Sequence, residues 1–352
     1  MGNRPISGNT ILARVPEELA SRLPRGWKVR PGAGRARDAN GPDARLNLVA
    51  GDGTITALLI EARERVEPRN IPALREQLRG WTGGTGMLVA PYLSPATRES
   101  LAKAEVNYLD LAGNLRLMVV RPALYVFTVG ADRNPSPEER PGWSLKGATA
   151  GRVVRGLCDF MPPVGIRELA SRAATTPGYA SRLVERLDAE ALLTRARRGP
   201  VQSVDWQALL RRWAKDYTPF ARPRARAFLA PRGFAALEER LLASSFRYAV
   251  TGGVAAARLS AAASPRLFAL YVDDAEVVAG SLGLQAAEAG ANVLLLAPFD
   301  PVVYERGSER GGLSLVSPSQ IAADLLTSPG RGPAEADAFL AWMAEHERVW
   351  RA

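Results

Sequence analysis

The chain has 352 residues, room for two or three domains each with its own core, and its 47% hydrophobic and 23% charged residues are those of an ordinary globular protein. A single cysteine, Cys158, and a single histidine, His346, exclude a disulfide framework, thiolate or histidine-cluster metal centres, and any triad that needs a histidine base. The formal charge of +10 is unevenly spread: between Lys146 and Arg226 sixteen Lys and Arg stand against seven Asp and Glu, and the flanks are close to neutral. A positive middle between neutral flanks points to a polyanion held by the middle. No apolar run approaches the roughly 20 residues that cross a bilayer, and no basic-then-apolar leader opens the chain, so the expectation is a cytoplasmic protein without a membrane partner.

Taken in order, residues 11–27 read as an amphipathic helix and 31–42 as a loop rich in Gly, Arg and Asn. Residues 45–50 alternate Leu46, Leu48 and Ala50 with polar neighbours, Gly51-Asp52-Gly53 supplies a hairpin turn, and 54–62 is a longer, more continuously apolar strand. A helix over 72–79, a buried strand over 87–90, a helix begun by Ser94-Pro95, and strands over 106–111, 115–120 and 124–129 complete an α/β domain, residues 1–130, with a mixed sheet. This order resembles the PD-(D/E)XK nuclease fold. In active members an Asp on one strand and a Glu-x-Lys on the next hold a divalent metal. The resemblance puts Asp43 and Glu61 at the two carboxylate positions, Gln77 at a supporting position, and Arg63 where the lysine belongs. A guanidinium stays charged and cannot take up the proton that a tunable lysine can. The expectation is therefore a nuclease-like domain without catalytic residues, with Asp43, Glu61, Arg63 and Gln77 as vestiges and no metal or other cofactor.

Asp110 and Asn114 bracket Ala112-Gly113 as a structural turn whose side chains bond the backbone. The stretch LVAPYLSPATRESLAKAEVNYLDLAGNLRL, residues 88–117, resembles one found in proteins grouped with the AbiEi antitoxin and transcription-regulator family. In that family a nuclease-like domain precedes a winged helix. Residues 131–145 read as a linker.

The next domain, 146–226, opens with a helix over 148–160 whose packing face is Val153, Val154, Leu157 and Cys158. A short helix over 166–173 follows, broken by Thr175 and Thr176. Thr176 can cap a second helix with Pro177 at its first position, running to about Leu192. Ala180, Leu183, Val184, Leu187 and Ala191 fall on its inward side, and Tyr179, Ser181, Arg182 and Arg186 on the others. Short strands over 192–194 and 201–204 are joined by a tip that carries Arg195, Arg197 and Arg198, and a helix over 205–217 has Trp206, Leu209, Leu210 and Trp213 as its apolar stripe. The run 165–201 resembles the winged helices of bacterial regulators of the MarR and GntR kind. The resemblance implies a reading helix in the major groove and a wing on the phosphate backbone, with Thr176 and Gly178 offering free N–H groups to a phosphate.

From residue 227 the pattern becomes α/β again: a helix over 230–244, a strand over 248–251, Gly252-Gly253, a helix over 254–260, and strands over 267–272 and 292–296. The phrase YAVTGGVAAARL resembles the opening of nucleotidyltransferase-like domains, which also need two carboxylates on one strand face to hold magnesium. Here Asp273 and Asp274 are adjacent and point to opposite faces, so the domain reads as a degenerate transferase fold. A strand, a helix begun at Pro318 behind Ser317, and a last helix over 333–348 carrying His346 resemble the C-terminal half of AbiEi-type antitoxins.

The fold class expected is thus α/β and α+β multidomain: a nuclease-like mixed-sheet domain, a central winged helix-turn-helix and a nucleotidyltransferase-like α/β domain. The function implied is a sequence-specific regulator of transcription bound to double-stranded DNA. The family resemblance adds a cognate nucleotidyltransferase toxin as a protein partner, and a homodimer would suit paired half-sites. Two other classes compete. One is a magnesium-dependent DNA nuclease built on Asp43 and Glu61, and the other is an antitoxin that binds protein alone.

Overall fold

The computed structural model describes residues 8–32, 41–132, 143–196, 199–221, 224–260, 265–287 and 289–352. The chain is of mixed α/β architecture and divides into two compact units, one drawn from the first 142 residues and the other from Trp143 onward apart from Asp188–Ala191.

The first unit contains, in order, α1 (Gly8–Ala20), β1 (Lys28–Pro31), β2 (Ala44–Val49), β3 (Ile55–Ala62), α2 (Ile71–Gly80), β4 (Thr85–Ala90), α3 (Pro95–Lys103), β5 (Asn107–Asp110), β6 (Leu115–Val119) and β7 (Leu124–Thr128). Its seven strands form one sheet in sequence order, parallel only where β4 joins β3 and β5. Side-chain alternation sends Leu58, Ile60, Met87, Val89 and Leu109 to one face, where Ile11, Val15 and Leu19 of α1 cover them. Leu88, Ala90 and Tyr108 take the other face, under Ile71, Leu74 and Leu78 of α2 and Leu101 of α3. Ser94 caps α3 by accepting from the Thr97 N–H at 3.2 Å.

One expected element ends early. The helix expected over 11–27 stops at Ala20. The chain then turns and lays down β1 against β2, with Lys28 opposite Val49, a pairing that no local pattern announces.

In the second unit, α4 (Ala148–Asp159), α5 (Ile166–Arg172), α6 (Pro177–Ala189), β8 (Leu193–Arg195), β9 (Val201–Val204) and α7 (Trp206–Ala214) come first. There follow β10 (Ala225–Leu229), α8 (Gly233–Leu242), β11 (Tyr248–Thr251), α9 (Gly252–Leu259), β12 (Phe268–Val272), α10 (Ala275–Leu282), β13 (Gln285–Ala286), β14 (Val293–Leu296), β15 (Ser308–Arg310), β16 (Leu313–Leu315), α11 (Pro318–Thr327), α12 (Gly332–Glu345) and α13 (Glu347–Trp350). β8 and β9 form a two-stranded hairpin, and the other seven strands make a mixed sheet in the order β13-β10-β14-β12-β11-β16-β15.

One continuous core runs from Val153, Val154 and Leu157 of α4, through Leu183 and Val184 of α6 and Trp213 of α7, to Leu270 of β12 and Ile321 of α11. The boundary expected between residues 226 and 227 falls inside β10. The last helix, expected unbroken over 333–348, is divided at His346, whose exposed ring stacks on Trp342 at 4.9 Å.

A polar network runs through this core. The Arg155 guanidinium, 1% exposed, donates to Asp159 Oδ2 at 3.0 Å, to the Val302 carbonyl at 3.1 Å, to Gln320 Oε1 at 3.0 Å and to the Glu305 carbonyl at 3.0 Å. Ser319 donates to the other Asp159 oxygen. Gln320 donates in turn to Asp324 Oδ1 at 2.9 Å, and the Tyr217, Tyr271 and Thr251 hydroxyls donate to the same carboxylate at 2.9, 3.0 and 2.6 Å. Its side chains come from five parts of the unit: α4, the turn after α7, β11, β12 and α11.

Burial pushes the Asp324 carboxyl up to about 6, against the lowering effect of the hydrogen bonds from Thr251, Gln320, Tyr217 and Tyr271. The folded chain therefore holds this proton more tightly than the unfolded chain, and the contribution to stability is fully present below about pH 4 and lost as pH rises to about 6. Melting curves of the parent and of Asp324→Asn should diverge in favour of the parent as pH falls from 7 to 4, by on the order of 3 kcal/mol. Parallel curves across that range would show that Asp324 does not titrate there.

Candidate functional site

The turn between α5 and α6 is braced by α4. α5 ends where Ala174 takes a left-handed conformation, φ 43°. Arg152 of α4 braces this turn, donating Nε–H to the Ala173 carbonyl at 2.7 Å while its Nη1 bonds Asp300 Oδ2 at 2.6 Å. The chain restarts as α6 behind Thr176, whose Oγ1 accepts from the Tyr179 N–H at 3.2 Å. Ala180, Leu183, Val184 and Leu187 bury one side of α6. Arg152 had no signal in the sequence beyond a charge set beside the apolar stripe of Val153 and Val154.

On the other side the predicted contact residues are not equivalent. Thr176, Gly178, Arg182 and Arg186 are exposed, whereas Ser181 is half-buried and the half-buried Tyr179 packs its ring against the core. Gly178 leaves room for the Arg182 guanidinium, whose Nη1 lies 3.6 Å from where a Cβ on that glycine would stand. Arg186 lies 5.8 Å above the Trp143 ring, which ties it to its own surface. In the hairpin, Thr194 and Ser203 bond across the strands at 2.6 Å and Arg195 is half-buried; Arg197 and Arg198 lie outside the described residues. Arg182 thus stands beside the exposed start of α6, and Arg195 ends β8 where the hairpin turns.

Asp43, Glu61, Arg63 and Gln77 of the first unit also converge. Asp43 stands just before β2 and accepts from the Ala62 N–H at 2.8 Å. Glu61, on the α2 face of β3, is buried; its Oε1 meets Arg63 at 2.6 Å and its Oε2 accepts from Gln77 at 3.0 Å. Arg63 also donates to Gln77 Oε1 at 3.1 Å. Burial pushes the Glu61 carboxyl up, the Arg63 charge opposes this, and the Asp43 charge adds to it. A metal would need both carboxylates free, and hydrolysis on it would need a proton acceptor as well. Here the two oxygens of Glu61 are already engaged and the third group is a permanent cation, so these residues do not fit a divalent ion.

The Gly-Gly turn of the second unit is filled as well. Gly252 opens α9 with φ 65°, and the Glu335 carboxylate of α12 lies 2.9 Å from where a Cβ on Gly253 would stand. A carboxylate of the chain itself thus lies against this turn. Asp274 caps α10 by accepting from Glu276 and Val277 N–H, and Asp273 accepts from the Tyr304 hydroxyl at 3.2 Å. Asp110 and Asn114 form a closed turn: Asp110 accepts from the backbone of Ala112, Asn114 and Leu93 and from the Asn114 side chain. Among the described residues no group of three or more His, Cys, Asp and Glu could hold a metal ion, and no helix is long and apolar enough to cross a membrane.

Residues 202–341 match the family model described as transcriptional regulator, AbiEi antitoxin, type IV toxin–antitoxin system. The match begins in β9 and covers α7 and most of the C-terminal sheet and helices. No curated protein and no solved structure matches the chain. Over these residues the chain is similar to antitoxin regulators of type IV systems.

If Arg63 closes the acidic cluster, saturating Mg2+ should leave the melting temperature unchanged, since a ligand that binds only the folded state would raise it. A Mg2+-dependent rise that Glu61→Ala abolishes would contradict the closed arrangement.

Proposed function

We propose that the chain is a sequence-specific regulator of transcription that binds double-stranded DNA through α6 and the β8–β9 hairpin, and that it serves as the antitoxin of a type IV toxin–antitoxin pair. The observation that carries the DNA reading is the division of α6. One side is wholly buried, while Thr176 just before the helix, Gly178 in its first turn and Arg182 in its second are exposed, and the local charge excess surrounds it. Backbone N–H groups at a helix start donate to a phosphate, and an arginine fork in the major groove can bond O6 and N7 of guanine.

Arg182 is the base reader in this account. Arg186, held over Trp143, and Tyr179, packed on the core, contribute to the backbone and to the position of the helix. Arg195, Arg197 and Arg198 follow the phosphates. The antitoxin role and a cognate toxin partner are supported by the match over residues 202–341. The regulatory reading is favoured over a nuclease because Arg63 and Gln77 hold Glu61, and no catalytic step is assigned to the chain.

Binding to a selected operator, followed by fluorescence anisotropy across a salt series, separates the two roles. Arg182→Ala should cost roughly 1–3 kcal/mol and relax preference at one base pair, whereas Arg195→Ala should weaken all sequences alike and lower the salt slope by about one. If both substitutions leave affinity and salt slope unchanged, α6 and the hairpin are not the DNA-binding surface.

A further inference from the structure

The two large sheets have four edges, and three of them carry features that discourage pairing with another chain. β1 presents Lys28, Arg30 and Pro31; β15 contains Glu309 and Arg310; β13 is two residues long. Charges, proline and shortness are the usual defences of an open edge. The fourth edge is β7, Leu124-Tyr125-Val126-Phe127-Thr128, with no charge, no proline and no glycine over its five residues.

The face beside this edge is also uncovered. Tyr108 of β5, Arg116 and Met118 of β6, and Tyr125 and Phe127 of β7 share one side of the sheet through the pairs Tyr108–Arg116, Arg116–Phe127 and Met118–Tyr125. Tyr108 is buried in the cluster under α2 and α3. Beyond it Met118, Tyr125 and Phe127 are 43%, 64% and 54% exposed. On the opposite side Leu124 and Val126 are buried in the cluster that α1 covers.

We infer that β7 is a dimerisation edge that pairs antiparallel with β7 of a second copy of this chain, on a two-fold axis at Val126. The strand itself argues for this occupant. A two-fold axis normal to the sheet requires facing residues to be of equal parity, and the register centred on Val126 uses all five positions. It sets Tyr125 opposite Phe127 of the second copy, and Phe127 opposite its Tyr125, giving two cross-strand aromatic pairs on the uncovered face. Aromatic pairs of this kind stabilise a strand pair, and the absence of charge means that self-pairing sets no like charges face to face. Leu124 and Thr128 meet at the two ends. The inference uses only the first unit and stands apart from the DNA reading of α6.

The test is sedimentation equilibrium of the full chain with a pair of charge variants. Tyr125→Lys with Phe127→Lys places like charges opposite each other twice, whereas Tyr125→Lys with Phe127→Glu places opposite charges at the same two positions. The parent and the Lys/Glu variant should approach the mass of two chains as concentration rises, and the Lys/Lys variant should raise the dissociation constant at least about tenfold. Both substituted side chains are exposed, and thermal melting of the isolated variants checks that they fold. A parent that stays monomeric, or a Lys/Lys variant that dimerises as well as the parent, would overturn the proposal. A Lys/Glu variant no better than Lys/Lys would overturn the register at Val126.

Discussion

Arg155 is the residue on which the second unit depends. A guanidinium cannot lose its charge, so burying one obliges the fold to supply a carboxylate and acceptors for its remaining N–H groups. Here they come from α4 itself, from the loop around Val302 and Glu305, and from Gln320 on α11. Removing one partner of such a buried pair typically costs about 3–5 kcal/mol, because the other charge is left without compensation. The network therefore acts less as glue than as a requirement: a packing of α4 and α11 that parts Arg155 from Gln320 leaves a buried N–H group without its acceptor. Asp324 extends the requirement to β11, β12 and the turn after α7 through four donors to a single carboxylate.

This arrangement determines where α6 sits. α4 carries Arg155 on its buried side and Arg152 beside it, and Arg152 holds the turn between α5 and α6 while anchored on Asp300. α5 and α6 thus share one core with the C-terminal sheet and are not merely tethered to it. Trp213 and Tyr217, stacked at 4.5 Å with Phe299 edge-on to both, close the same junction with apolar surface. The division of labour is clear in the side chains: arginines that face inward position the fold, and only Arg182 on α6 is exposed without a tie to an aromatic ring or a buried anchor among the contacts described above.

Much of the local structure was legible in the sequence because its causes are local. Ser94, Thr176, Asp205 and Ser317 announce helix starts and do accept the capping N–H groups. The alternation of Leu46 and Leu48, and the apolar stripes of α6 and α7, follow from strand and helix periodicity. What the sequence did not reveal has distant causes. β1 is a strand only because β2 offers it an edge, and the shared core across β10 depends on packing between segments more than 100 residues apart, as Arg155 and Gln320 illustrate. The candidate site was legible by residue type but not by role. Outward spacing on α6 grouped Tyr179 with Arg182, yet a ring large enough to reach the core packs there, and Arg186 finds Trp143 from a distant segment. Arg63 was recognisable as a misplaced cation; that it and Gln77 bind both oxygens of Glu61 needed the fold.

The central claim is that the surface around Arg182 reads a DNA sequence. It is tested most directly by competing the chain's own upstream DNA against a scrambled duplex of equal length at about 150 mM salt, where purely electrostatic binding is weakened. The account predicts a preference for the upstream duplex that persists at this salt, with both duplexes intact in the presence of Mg2+. Equal, salt-labile binding to the two duplexes would reduce the surface to a generic basic patch and contradict the claim.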